Sequence, residues 1–184
     1  SYALFFALAQ NDRATFERVL AWTRDNLAGG DMGAHLPGWE WGRNKAGNWT
    51  LLDAGSASDS DCWIAYTVLE AGRLWHEPAY TALAHKMLGL IARQQVAELP
   101  GFGVMLLPGS AANWTHRGAS TVNASYLPLF LIQRFAQADP AGPWEKIAGN
   151  IPLLLGDANR RGFAMDWNAY TPGKGFQPAT GPGA

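Results

Sequence analysis

The chain has 184 residues, 14 Lys and Arg against 15 Asp and Glu, and 48% apolar side chains. That is length enough for one domain with a sizeable core. It leaves no basic patch of the kind that a nucleic acid or an anionic membrane needs, and no run approaching the roughly 20 apolar residues of a membrane span.

Nine tryptophans stand out. Flat indole surfaces that stack on sugar rings are one use for them, and ordinary packing is the other. Cys62 is the only cysteine. It excludes an intrachain disulfide and a zinc cluster, and its place at the start of an apolar helix predicts a buried structural thiol.

Residues 1–9 read as the remainder of a helix with Leu4, Phe5 and Leu8 on one face. It begins without Met or cap, so the natural N-terminus is expected upstream. Asn11 or Asp12 caps a second helix, in which Phe16, Val19, Leu20, Thr23 and Leu27 recur at helical spacing until Gly29-Gly30. From Asp31 to Asp53 there is no helical period. Trp39-Glu40-Trp41 and Asn48-Trp49-Thr50-Leu51-Leu52 predict a short hairpin around a Lys45-Ala46-Gly47-Asn48 turn.

Asp53, Asp59 and Asp61 then fall close together among Gly, Ala and Ser. A third helix is expected from about Asp61 to Trp75, with Asp59 and Asp61 at or just before its first turn. There a carboxylate gains from free backbone donors and from the helix dipole. One cap accounts for one aspartate and leaves the others to face a ligand. Pro78 opens a fourth helix, with Tyr80, Leu83, Ala84, Met87, Leu90 and Ile91 as its stripe, stopped by Pro100-Gly101. Residues 101–124 read as irregular. A fifth helix is expected from about Ser125 to Ala138. A sixth starts at Pro143, and Pro152 should kink or break it. Arg160 to the end reads as loop.

Helix pairs thus alternate with long loops rich in Trp, Gly and Asp on one side and short loops on the other. This predicts an all-α fold of the (α/α)6 barrel or toroid kind, about half of it present, with the aromatic loops and the short hairpin on the cleft side. Residues 1–184 would be a single partial catalytic domain. Half a toroid leaves helix faces that expect neighbours. The exposed apolar stripes should exceed the roughly 300–600 Å² of the largest patch on a soluble monomer, so insolubility, dimerisation or a longer chain is expected.

The segment Ala57-Ser58-Asp59-Ser60-Asp61, followed by Ile64-Ala65, Val68-Leu69, Ala71 and Trp75, resembles the signature of glycoside hydrolase family 8. It departs from it at Ser60, where the family has Ala or Gly, and at Thr67, where it has a small residue. The resemblance continues through Ser1-Tyr2, Asn11-Asp12-Arg13, Leu36-Pro37-Gly38-Trp39-Glu40-Trp41-Gly42, Glu70 to Trp75, Met105 to Gly109, Asn123 to Pro128 and Gly162 to Trp167. These are collinear with the cellulase branch associated with bacterial cellulose synthesis.

The resemblance implies an inverting endo-β-1,4-glucanase that needs no cofactor. It would be periplasmic or secreted, act on β-1,4-glucan, and work in association with cellulose synthase machinery. Such a reaction needs an acid to protonate the glycosidic oxygen and a carboxylate to activate water from the opposite face. The resemblance puts the acid directly before Ser1 and the base shortly after the C-terminal loop, so residues 1–184 alone should be inactive. Asp59 matches the signature aspartate. An inverting enzyme forms no glycosyl intermediate, so Asp59 is read as gripping the sugar at the cleavage point, where lost hydrogen bonds cost transition-state stabilisation.

Trp41 matches a tryptophan that stacks on glucose. Trp39 and Trp49 are balanced between platform and core. Asp53 could orient Asp59 or bind sugar. Tyr126 resembles a sugar-contacting aromatic, with a core tyrosine as the alternative. Asp61 is read as the helix cap, Trp63 and Trp75 as core, and Asp166-Trp167 as subsite lining. His35, His76, His85 and His116 have no metal-ligand spacing. A non-catalytic glucan-binding fragment, and a relative acting on chitosan or xylan, are the alternative readings.

Overall fold

The computed structural model describes residues 1–158 and 162–179. Among the described residues, helices account for about half, and the segments between them carry eight short strands in three antiparallel sheets. The helical scaffold is consistent with part of a toroid, and the strands go beyond the single hairpin expected: the segments after the fourth helix and after the last one are pleated as well. The chain divides into two compact units, residues 1–91 and residues 92–184.

In the first unit, α1 (Tyr2–Ala9) packs on α2 (Arg13–Leu27) and on α3 (Ser58–Leu74). Asp12 caps α2 by accepting the Thr15 N–H at 3.0 Å, which satisfies one of the donors left free at a helix start. Leu4, Leu8, Phe16, Ile64, Ala65 and Val68 bury the shared apolar faces. The helix α4 (Pro78–Gln94) follows, and buries Ala84, Met87, Leu88, Leu90 and Ile91. Gly72 lets α4 approach α3. A Cβ there would stand 2.8 Å from the Thr81 backbone nitrogen and 3.2 Å from the Glu77 carbonyl oxygen.

Two short corners in this unit are tied together. The Trp75 indole N–H donates to Asn11 Oδ1 at 2.8 Å. Arg13 bonds Glu17 at 2.8 Å and reaches Glu77 at 3.3 Å, with its guanidinium 5.5 Å from the Trp75 ring centre. The expected hairpin is present as β1 (Gly38–Arg43) and β2 (Trp49–Ser56), and α2 packs against it. Asn44 holds its turn by accepting the Ala46 and Asn48 N–H groups, each at 3.0 Å.

In the second unit, β3 (Val96–Leu99) and β4 (Gly103–Leu106) form a hairpin. The fourth helix therefore ends before Pro100-Gly101, which form the hairpin turn instead. Gly101 supplies the positive φ of +85° there. A short helix α5 (Ala111–Trp114) leads into β5 (Thr115–His116) and β6 (Ala119–Asn123), so residues 101–124 are not irregular. β6 pairs with β7 (Trp167–Thr171), and β7 with β8 (Gly175–Pro178). These last two strands replace the terminal loop expected from Arg160 onward; Arg160 itself and residues 180–184 lie outside the described residues.

The fifth helix is split. A 3-10 turn at Ala124–Tyr126 precedes α6 (Leu129–Ala138), because Pro128 cannot continue a helical ladder and acts as the N-cap of α6. α6 packs on α7 (Trp144–Ala158). Pro152 sits inside α7 without ending it, exposed on its outer side. Leu131, Ile132, Phe135, Trp144, Ile147 and Leu154 form the core of this helix pair. No described helix is long and apolar enough to cross a membrane. Tyr2 on α1, Leu74 on α3, Phe130 on α6 and Leu153 on α7 are each at least half exposed.

Candidate functional site

The candidate residues of the first unit lie on the β1–β2 hairpin and the first turn of α3. That turn begins with Ala57 as N-cap, and the Asp61 N–H makes the first helical bond to the Ala57 carbonyl at 3.0 Å. Asp61 therefore sits one turn inside the helix and is not its cap. It is fully buried. Asp59, two residues earlier, is half-buried, with both acids at the positive end of the helix dipole. Ser1 at the start of α1 lies near both carboxylates. Cys62 beside them is fully buried and free. Burial pushes its thiol well above the usual value, reinforced by Asp61 and Asp59, so it stays protonated and inert.

Asp53 is on β2, not in a loop, and it turns toward the hairpin. Its carboxylate accepts the Gly55 N–H at 2.7 Å, and that bond first, with the neighbouring Trp39 second, holds its pKa below the ordinary carboxylate value. The strand pairing is irregular at this place. Glu40 pairs with Asp53 and Gly38 with Ser56, so Ala54 and Gly55 stand opposite the single Trp39. Such an extra residue bends a strand and re-aims its side chains.

Trp39 is 59% exposed and Trp49 is 60% exposed. Neither is a core residue. Arg43 lies over the Trp49 ring, 5.2 Å from its centre. Trp41 is half-buried and meets Trp22 of α2 edge-on. Trp22 was not singled out by sequence, because its place on α2 reads as an ordinary helix position. Trp63 and Trp75, expected in the core, are half-buried. Trp63 packs edgewise on Tyr2, Phe5 and Tyr66, and Trp75 on Phe16.

In the second unit, Tyr126 is half-buried on its 3-10 turn and meets Trp167 edge-on at 5.9 Å. Trp167 in turn stacks on Trp114, with ring centres 5.4 Å apart and planes within 9°. Trp114 was not singled out by sequence. The alternation in Trp167-Asn168-Ala169-Tyr170-Thr171, where Asn168 and Tyr170 are buried, is the strand signal that could have placed Trp167. Asp166 is exposed. Among the described residues no three His, Cys, Asp or Glu side chains gather as a metal site.

The model of the glycosyl hydrolases family 8 matches residues 1–182. An endoglucanase of Xanthomonas axonopodis pv. citri is 51% identical over 96% of this chain and 45% of its own length. One from Escherichia coli O157:H7 is 44% identical over 96% of this chain and 47% of its own. The crystal structure of endo-1,4-D-glucanase from Vibrio fischeri superposes with a TM-score of 0.91 at 40% identity, covering 97% of this chain and 52% of that one. The chain belongs to glycosyl hydrolase family 8, and it spans about half the length of these relatives.

Proposed function

We propose that the protein of which these residues form part is an endo-β-1,4-glucanase that cleaves β-1,4-glucan with inversion. The observation that carries this reading is the placing of Asp59, a half-buried carboxylate in the first turn of α3. In the same unit the hairpin exposes Trp39 and Trp49. Membership of the family, and relatives described as endoglucanases, support it. They favour cellulose over chitosan or xylan.

Asp59 is assigned to hydrogen bonds with the hydroxyls of the sugar at the cleavage point, strongest as the ring flattens toward its oxocarbenium-like transition state. Trp39 and Trp41 are assigned to stacking on glucose rings, and so is Tyr126 in its own unit. The acid that protonates the leaving oxygen and the base that activates water are assigned to segments flanking residues 1–184 in a full-length protein. The 184 residues are read as one partial catalytic domain of an (α/α)6 barrel, from a periplasmic or secreted protein acting in association with cellulose synthase machinery.

The test is hydrolysis of carboxymethylcellulose, chitosan and xylan by the full-length protein, with the product anomer followed by NMR. Cellulose should be cut with release of the α-anomer. Asp59→Ala should abolish the activity, whereas activity surviving that change would refute the assignment of Asp59.

A further inference from the structure

The register of the β1–β2 hairpin is regular from Trp41 to the turn. Trp41 pairs with Leu51, Gly42 with Thr50 and Arg43 with Trp49. Paired residues point to the same side of a sheet, and neighbours along a strand point to opposite sides, so Trp41, Leu51, Arg43 and Trp49 share one face. Gly42 marks the other face, where an added Cβ would be 2.7 Å from Leu52 Cδ1. On the shared face Trp41 is half-buried against Trp22 of α2. Nearer the turn that face is open, and Trp49 is 60% exposed.

Trp49 is nevertheless held. The Arg43 guanidinium carbon lies over its ring, 5.2 Å from the centre, where a cation is drawn to the π-face. The turn that sets the two residues opposite each other is closed on both sides. The Asn44 N–H donates to the Asn48 carbonyl at 2.9 Å, the Gly47 N–H to the Asn44 carbonyl at 2.9 Å, and the Asn44 side chain accepts the Ala46 and Asn48 N–H groups. Arg43 covers one face of the indole and leaves the opposite face for a ligand. Apolar surface held out among polar neighbours marks an interaction site. A β-1,4-linked glucose ring has axial C–H groups and equatorial hydroxyls, so its faces pack on an indole while its rim stays hydrated. Trp49 is the diagonal neighbour of Trp41, and such positions stand about 7–8 Å apart. One chain can therefore lie across both rings.

We infer that Trp49 is a further stacking position for the glucan chain beside Trp41, and that Arg43 is the positioning residue that holds its ring. This rests on the glucanase reading above.

The experiment uses the full-length enzyme and cellohexaose. The Trp49 indole N–H resonance, assigned by its loss in Trp49→Phe, should shift on titration with cellohexaose. Trp49→Ala should raise KM about threefold to tenfold and act on KM rather than kcat. Arg43→Ala should raise KM about twofold to fivefold, and Arg43→Lys, which keeps a cation over the ring, should recover most of that. Adding Arg43→Ala to Trp49→Ala should cost nothing further. Where the unaltered enzyme cuts cellohexaose, an unmoved Trp49 resonance or an unchanged KM in Trp49→Ala overturns the platform. Additive losses in the double variant would show that Arg43 meets the sugar itself and overturn its positioning role. If cellohexaose is not cut while the Trp49 resonance shifts with it, the glucanase reading falls and the platform stands. Neither cleavage nor shift would sink both.

Discussion

Trp22 of α2 meets Trp41 of β1 edge-on, with ring centres 5.7 Å apart and planes at 80°. Edge-to-face pairs of this kind are worth about 0.5–1.5 kcal/mol beyond area burial. The contact ties a candidate sugar platform to a helix, so the hairpin does not have to hold Trp41 alone. Trp22→Ala should therefore weaken cello-oligosaccharide binding by about threefold to tenfold, and Trp22→Phe should keep most of it. Calorimetric titration of the full-length protein with cellohexaose measures this. Equal affinity in Trp22→Ala and the unaltered protein would show that Trp41 needs no support.

Two glycines in helices predict opposite outcomes. Gly72 is buried where α4 begins, and a Cβ there collides with Thr81 Oγ1 and stands 2.8 Å from the Thr81 backbone nitrogen. Backbone cannot move aside as a side chain tip can. Gly72→Ala should cost about 1–3 kcal/mol as the helices are forced apart. Gly149 is exposed in α7, with nothing within 4 Å of such a Cβ. Gly149→Ala should stabilise by about 0.5–1 kcal/mol through helix propensity and a less flexible unfolded chain. Urea unfolding midpoints distinguish the two signs, and a stabilising Gly72→Ala would contradict the close approach.

Much of this was readable along the chain wherever contacts are local. The helical period placed α1 to α4, the cap of α2 was narrowed to Asn11 or Asp12 and is Asp12, and the Gly and Asn residues around Lys45 marked the hairpin turn. The misses are non-local or short. Val96–Leu99 and Gly103–Leu106 are four residues each and bury their ends without alternating, so the first merges with the apolar stripe of α4 and the second reads as irregular. Pro152 looked like a break because sequence cannot show that its ring faces outward from α7. Asp61 has the composition of a cap, yet the first helical bond goes to Ala57. The Trp39–Asp53 and Trp114–Trp167 contacts depend on a strand bulge and on sheet pairing, and neither leaves a period in the sequence.

The cap at Asp12 predicts a pH dependence. The Thr15 hydroxyl and then the Thr15 N–H hold the Asp12 carboxyl below its ordinary 3.8. A carboxyl with a depressed folded pKa stabilises the fold above the unfolded value, and that contribution fades as pH falls through the folded value. Asp12→Ala should lower Tm at neutral pH. The gap to the unaltered protein should narrow as pH drops below 3.8. Thermal melts across the acid range follow it, and a gap that stays constant into strong acid would rule out an ionised cap.

Trp167 stands between the face of Trp114 and the edge of Tyr126, at 5.4 and 5.9 Å. Near-parallel indoles at this separation couple their transitions, so the pair should give an exciton signal in circular dichroism. Trp114→Phe should remove this pair's share of the signal and leave that of the Trp22–Trp41 pair. Trp167→Ala should remove it too, along with the edge contact on Tyr126. If this trio contributes a sugar-stacking surface, the full-length protein should lose affinity for long cello-oligosaccharides more than for short ones in Trp167→Ala. A short oligosaccharide does not reach every stacking position, so a loss confined to long ligands separates a surface for distant sugars from a general loosening of the sheet. Equal losses for both lengths, together with a lowered Tm, would identify the trio as packing alone.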